Sequence, residues 1–279
     1  MIDVAIPQIA RELGLAQGQV RATVALLDDG ATVPFVARYR KEATDNLDEV
    51  AVISIRDRFS QLRELWERRK AILSSLEERG LLTQELRKSI LRAVTMAALE
   101  DIYLPYRPKR RTRATIAREK GLEHLALHLW DQRDSDVNLS AVEYVNPELG
   151  VETVEDALGG ARDIIAEWVS EDTAARREIR KLFWSHGTFS SRVVSGKSSE
   201  AAKYRDYFEW EESISDMPSH RVLAMLRGER EALLSIRVAP PVVPAMVILE
   251  GMFVTGGTEA SQQVRLAVQD GYKRLLETS

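Results

Sequence analysis

Apolar residues recur every three or four positions along most of this chain, the period of an amphipathic helix. A short helix is expected over 6–13, with Gly14 able to end it. Over 17–28, Val20, Val24 and Leu27 repeat at helical spacing and Gly30 supplies a C-terminal stop. In TVPFVARYRKEATDN, Pro34 suits a first helical turn, and Phe35, Val36 and Tyr39 give it a short apolar face. Three short helices with glycine turns predict a helix-turn-helix-like module over 1–45.

Asp45 or Asn46 can cap the next helix. No Pro or Gly occurs from about 47 to 79, and Val52, Ile55, Phe59, Leu62 and Trp66 step by three and four before Leu73 and Leu76 resume the stripe. This predicts one long amphipathic helix of about 50 Å. Arg69 interrupts the heptads, so the stripe is expected to face helices of the same chain rather than a coiled-coil partner. Thr83 caps a helix over 84–102 that Pro105 and Pro108 end. Helices are expected at about 122–132, 154–169 and 172–185, with Thr153 and Asp156 as a capping box using the shorter acid.

The period then changes. TFSSRVV (188–194) and ALLSIRV (232–238) are short and β-branched and predict paired strands, with helices near 199–208 and 220–230 between them, the latter capped by Ser219. Breaker-rich PPVVP and TGGT flank VILEGMFV, a short buried strand or helical turn, and a last helix runs over 259–277. The expected fold is therefore mainly α. It comprises the module at 1–45, a helical scaffold at 46–187 bundled on the long helix, and a mixed segment at 188–279 with a small β element near 188–238.

Composition narrows the class. The 279 residues are 44% hydrophobic and 29% charged, as in a folded globular chain. No apolar run approaches the roughly 20 residues of a membrane span, and the start lacks the basic and apolar regions of a signal peptide. Cysteine is absent, which excludes thiolate chemistry and suits a reducing cytoplasm. A net charge of -4 argues against a protein coated in nucleic acid, not against a local basic patch.

Such a patch lies in LPYRPKRRTRATIAREKG (104–121). Arg107, Lys109, Arg110, Arg111 and Arg113 crowd a loop pinned by two prolines and opening into a helix near Thr115. One reading is a phosphate-contacting surface. Arginine forks bind phosphate oxygens, Thr112 and Thr115 add hydrogen bonds, and Tyr103 and Tyr106 stack on bases. The other is intramolecular, with the arginines clamping acidic helices or helix C-termini. Arg38, Arg40 and Lys41 form a second, shorter patch.

Other chemistry finds little support. His124 and His128 share a helix face but suggest no third metal ligand. VSGKSS (194–199) lacks the first glycine of a P-loop, with Ser191 in that place. The carboxylates mostly lie along solvated helix faces. No catalytic residue, metal or cofactor is expected, and the chain is not expected to be an enzyme.

LEDIYLPYRPKRRTRATIAREKGLE (99–123) resembles a signature of the bacterial Tex family of transcription accessory proteins. LLDDGATVPFVARYRKEATDNLDEV (26–50), RKAILSSLEERGLLTQEL (69–86), KYRDYFEWEESISDMPSHRVLAMLRGERE (203–231) and the final helix are similar to the same family, so the resemblance covers essentially the whole chain. Asp45–Asn46 depart from it where the family tends to carry glycines. The resemblance implies an N-terminal fragment of a longer protein, leading into a YqgF-type domain, helix-hairpin-helix domains and an OB-fold RNA-binding domain. It implies RNA or DNA as partner, the transcription machinery, and docking to those further domains. The expected function is a cytoplasmic helical scaffold with a non-sequence-specific phosphate contact at the basic loop. The alternatives are a protein-interaction scaffold without nucleic-acid contact and, by analogy with the RNase H-like domain, a nuclease.

Overall fold

A computed structural model describes residues 2–108, 111–133, 135–240 and 242–279. The chain divides into two compact units, Met1–Tyr106 and Arg107–Ser279.

The first unit is helical: α1 (Ile2–Leu13), α2 (Gln17–Asp28), α3 (Val33–Tyr39), α4 (Lys41–Thr44), α5 (Glu49–Glu78), α6 (Gln84–Arg92) and α7 (Met96–Tyr103). Gly14 and Gly30, at φ +67° and +89°, take the left-handed backbone that ends α1 and α2. The first half of α5 buries Val52, Ile55 and Phe59 against Ile6, Ile9, Val20, Val24 and Val36 of α1–α3. Its second half buries Leu65, Ile72 and Leu76 against Leu86, Ile90 and Leu99 of α6 and α7. The stripe thus runs through Leu65 and Ile72, leaving Trp66 exposed and Leu73 half-buried. Arg69, the residue that breaks the heptads, donates to the Ile90 and Ala93 carbonyls at the C-terminus of α6.

Several boundaries differ from those the pattern predicts. The first helix begins at Ile2, Pro218 rather than Ser219 is the N-cap of the helix Ser219–Arg230, and the helix expected near 199–208 is a 3-10 turn over Ala202–Tyr207. Asp48 caps α5, its carboxylate accepting from the Ala51 amide at 2.7 Å, while Asp45 and Asn46 have positive φ and cannot hold the extended backbone of an N-cap. The helix expected over 84–102 is two helices, because the Thr95 hydroxyl accepts from the Ala98 amide and starts a new one.

The second unit contains α8 (Arg113–Glu119), α9 (Glu123–Trp130), α10 (Val137–Val142), α11 (Val154–Glu171), α12 (Thr173–His186), β1 (Thr188–Val193), β2 (Glu209–Ser213), α13 (Ser219–Arg230), β3 (Leu234–Ala239), α14 (Val242–Phe253) and α15 (Glu259–Gly271), the last continuing into a π turn over Tyr272–Leu276. Helix α11 is central, burying Leu158, Ala161, Ile164 and Ile165 among Leu122, Leu125, Val264 and Val268. Its capping box forms as expected, with the Thr153 hydroxyl accepting from the Asp156 amide and Asp156 accepting from the Thr153 amide.

The β element is a three-stranded antiparallel sheet in the order β2-β1-β3. Strand β1 pairs with β3 through Phe189↔Val238 and with β2 through Phe189↔Glu212. Phe189 and Leu234 pack with Tyr204 and Met225 beneath it. The segment between the breakers is the helix α14, and Pro244 sits in its first turn, where a missing amide costs no hydrogen bond. Among the described residues no helix is long and apolar enough to cross a membrane.

Candidate nucleic-acid interface

The basic stretch begins at the end of the first unit and runs into α8 of the second. Its helix starts at Arg113, with Thr112 as the cap: the Thr112 hydroxyl accepts from the Thr115 amide at 3.0 Å. The same hydroxyl donates to Glu167 of α11 at 3.1 Å, and the Arg118 guanidinium donates to the other oxygen of Glu167 at 2.7 Å. Glu167 is buried, so one carboxylate holds both ends of α8. Burial alone would lower the Arg118 guanidinium, but the hydrogen bond and charge of Glu167 outweigh it and raise it. Gly160 lets α11 come close here, since a Cβ would clash with Leu122 Cδ1.

The cations of this stretch divide by role. Arg118 also reaches Glu123, Lys120 donates to the Gly150 carbonyl at 2.6 Å, and Arg111 pairs with Glu119 at 2.7 Å on the exposed side of α8. Arg107 and Arg113 are exposed and make no ion pair with a described residue. Arg113 acts only at a distance on Asp163, whose carboxyl is pushed up by burial against the pull of Arg274 and Arg113. Lys109 and Arg110 lie outside the described residues. The intramolecular reading thus holds for Arg118, Lys120 and Arg111, which bond within the fold, while Arg107 and Arg113 face solvent.

The two tyrosines expected to stack on bases are committed elsewhere. Tyr103 is buried beneath the Arg68 guanidinium, 5.5 Å from its ring, and Tyr106 packs on the α5–α7 core. A tertiary ring contact of this kind leaves no mark on local spacing.

The second patch is solvated, as a short basic run at a helix end is expected to be. Arg38, Arg40 and Lys41 all face solvent, with Arg40 3.9 Å from Glu42. The buried positions of α3 are Val33, Val36 and Ala37, so Phe35 and Tyr39 lie outside: 41% and 68% exposed. Their rings are 5.7 Å apart at 39°, and the Arg40 guanidinium lies 5.5 Å from the Phe35 ring centre. The i, i+3, i+4 spacing of Val33, Val36 and Ala37 was the available signal that the aromatic pair faces outward.

Two family models match the chain: "Tex-like protein N-terminal domain" over residues 3–77 and "Tex central region-like" over residues 132–263. The basic stretch lies between these two ranges. Among curated proteins, the chain is 48% identical to "Protein tex" of Bordetella pertussis, over 84% of this chain and 30% of that protein. It is 42% identical to "Transcriptional accessory protein Tex" of Neisseria gonorrhoeae, over 97% of this chain and 35% of the relative. A more distant match, 27% identical over 77% of this chain and 22% of the relative, is the human "S1 RNA-binding domain-containing protein 1". The chain spans about a third of the length of the bacterial relatives it matches.

Proposed function

The chain belongs to the Tex family, and on that premise we propose that it is a helical scaffold of a nucleic-acid-binding transcription accessory protein that contacts phosphate without reading sequence. The neisserial relative is named for transcription and the human relative for an S1 RNA-binding domain. The observation that carries the reading is the division of labour along 104–121. Neighbouring carboxylates neutralise Arg118 and Arg111, whereas Arg107 and Arg113 stay exposed and unpaired among the described residues. Solvated guanidinium groups held beside a rigid helix lose little on meeting a phosphate and release its counterions. The contact needs no catalysis from this chain, and its setting is the cytoplasm, with the transcription machinery and the remaining domains of a longer protein as further partners.

The test is binding to labelled single-stranded RNA, single-stranded DNA and duplex DNA across a salt series. Replacing Arg107 and Arg113 by glutamine should weaken binding and lower the salt slope by roughly 0.7–0.9 for each phosphate that is no longer neutralised. Wild-type protein that binds none of the three at low salt would overturn the reading.

A second reading is favoured by one observation. Val4, Trp66, Leu91 and Val94, all exposed, line a groove of about 360 Å³ in the first unit together with Gln8 and Arg69. Exposed apolar surface of this kind suits a protein contact. Under that reading the wild-type chain binds none of the three probes, and the glutamine substitutions affect folding or docking instead.

A further inference from the structure

The exposed aromatic pair on α3 is unexplained by the fold. Val33, Val36 and Ala37 already anchor this helix in the core. Phe35 and Tyr39 stand one turn apart on the opposite side, with Tyr39 68% exposed. An i, i+4 ring contact adds modestly to a helix, a weak reason to leave two large rings in water. Arg38, Arg40 and Lys41 adjoin the pair, and Glu42 is the only carboxylate within ion-pair distance of them among the described residues. The Arg40 guanidinium lies over the Phe35 ring, and the Tyr39 ring is tilted by 39° against it.

We propose that Phe35 and Tyr39 form a stacking platform for the bases of single-stranded nucleic acid, with Arg38, Arg40 and Lys41 holding the adjoining phosphates. The inference rests on the proposed nucleic-acid function and adds the class of strand and a second contact in the other unit. Stacking requires a free base face. In a duplex both faces of each base are covered by neighbours, whereas an unpaired strand can splay its bases onto aromatic rings. Alternating rings and guanidinium groups suit a strand in which bases and phosphates alternate, and such a site is tolerant of sequence.

The experiment uses the full chain with three fluorescein-labelled probes, a 12-nucleotide oligo(U), a 12-nucleotide oligo(dT) and a 20-base-pair duplex. Phe35→Ala/Tyr39→Ala should lose about tenfold or more in affinity for the single strands. It should keep its salt slope, because no charge is removed, and keep its duplex affinity. Tyr39→Trp should retain or improve single-strand binding. Should the double variant fail to keep its helical circular dichroism, Tyr39→Ala alone, at the more exposed position, tests the same point. A double variant that binds single strands as wild type does, while the Arg107/Arg113 glutamine variant loses affinity, overturns the platform and leaves the proposed function standing. Equal loss for single strand and duplex also overturns it. Wild-type protein that binds no probe at low salt removes the proposed function and the platform together.

Discussion

Asp45 and Asn46 both hold left-handed backbone, at φ of 52° and 61°. Such a conformation crowds the Cβ of any residue but glycine, and asparagine and aspartate tolerate it better than most. The glycines that the family tends to carry here thus have a steric reason. Asp45→Gly is expected to stabilise the first unit by about 0.5–1 kcal/mol, since only backbone atoms of Asp45 make its contacts, to Lys41 and Gln19. Thermal unfolding checks it, and an unchanged or lower midpoint would show that the turn carries no strain. Glu12 contributes through its charge instead. Its hydrogen bond from Arg58, first, and one from Gln8 lower its carboxyl from the ordinary 4.5 to about 2. A depressed folded pKa stabilises above the unfolded value and loses that contribution as pH falls from about 4.5 to about 2. The pair is 38% and 27% exposed, so the effect is about 1 kcal/mol or less. Glu12→Gln should flatten that part of the acid limb of a stability–pH curve while leaving the curve above pH 6 parallel to wild type.

At the scale of elements, α8 depends on one residue of another helix. Thr112 and Arg118 both bond Glu167, 55 and 49 residues away, and Glu167 lies buried. Glu167→Ala would leave the Arg118 guanidinium partly buried with only Glu123 in reach. A loss of about 2–3 kcal/mol is expected, below the range for a fully buried pair because Arg118 is part-exposed. Hydrogen exchange should show faster opening of 113–119 than of α9, and uniform destabilisation of the unit would instead mean that α8 has no stability of its own to lose. The bond from Arg118 to Glu167 also marks where sequence stops being informative. The capping box of α11 and the pairing of β1 with β3 are legible because both are local patterns of side-chain type. Strand β2, EWEES, lacks apolar alternation and is held by its neighbour's backbone rather than by its own pattern. The break between α6 and α7 has no glycine or proline, only Thr95 competing as a cap. For the interface, spacing located the cations and tyrosines but could not say which would be bonded within the fold, because Glu167, Gly150 and Arg68 arrive from distant segments.

At the scale of the molecule, each unit carries its own buried clusters. Ile55 and Ile72 belong to clusters made wholly of residues before 107, and Leu125 and Ile164 to one made wholly of residues after it. Cooperativity tracks shared buried surface, so two separate cores predict two unfolding transitions instead of one. Truncating a fully buried aliphatic side chain costs about 2–5 kcal/mol through reduced transfer energy and the cavity left behind. Ile55→Ala is therefore expected to lower one calorimetric transition, and Ile164→Ala the other, each leaving its counterpart within about 1 °C. Hydrogen exchange assigns the transitions, with protection falling over 2–106 in the first variant and over 111–279 in the second. The same separation bears on binding. Phe35 and Tyr39 lie in the first unit and Arg107 and Arg113 in the second, so Ile55→Ala, heated past its lowered transition, should lose the preference for single strands before it loses the salt-dependent binding. Transitions that shift together in either variant would show the units to be one cooperative body, and would make the two binding surfaces stand or fall as one.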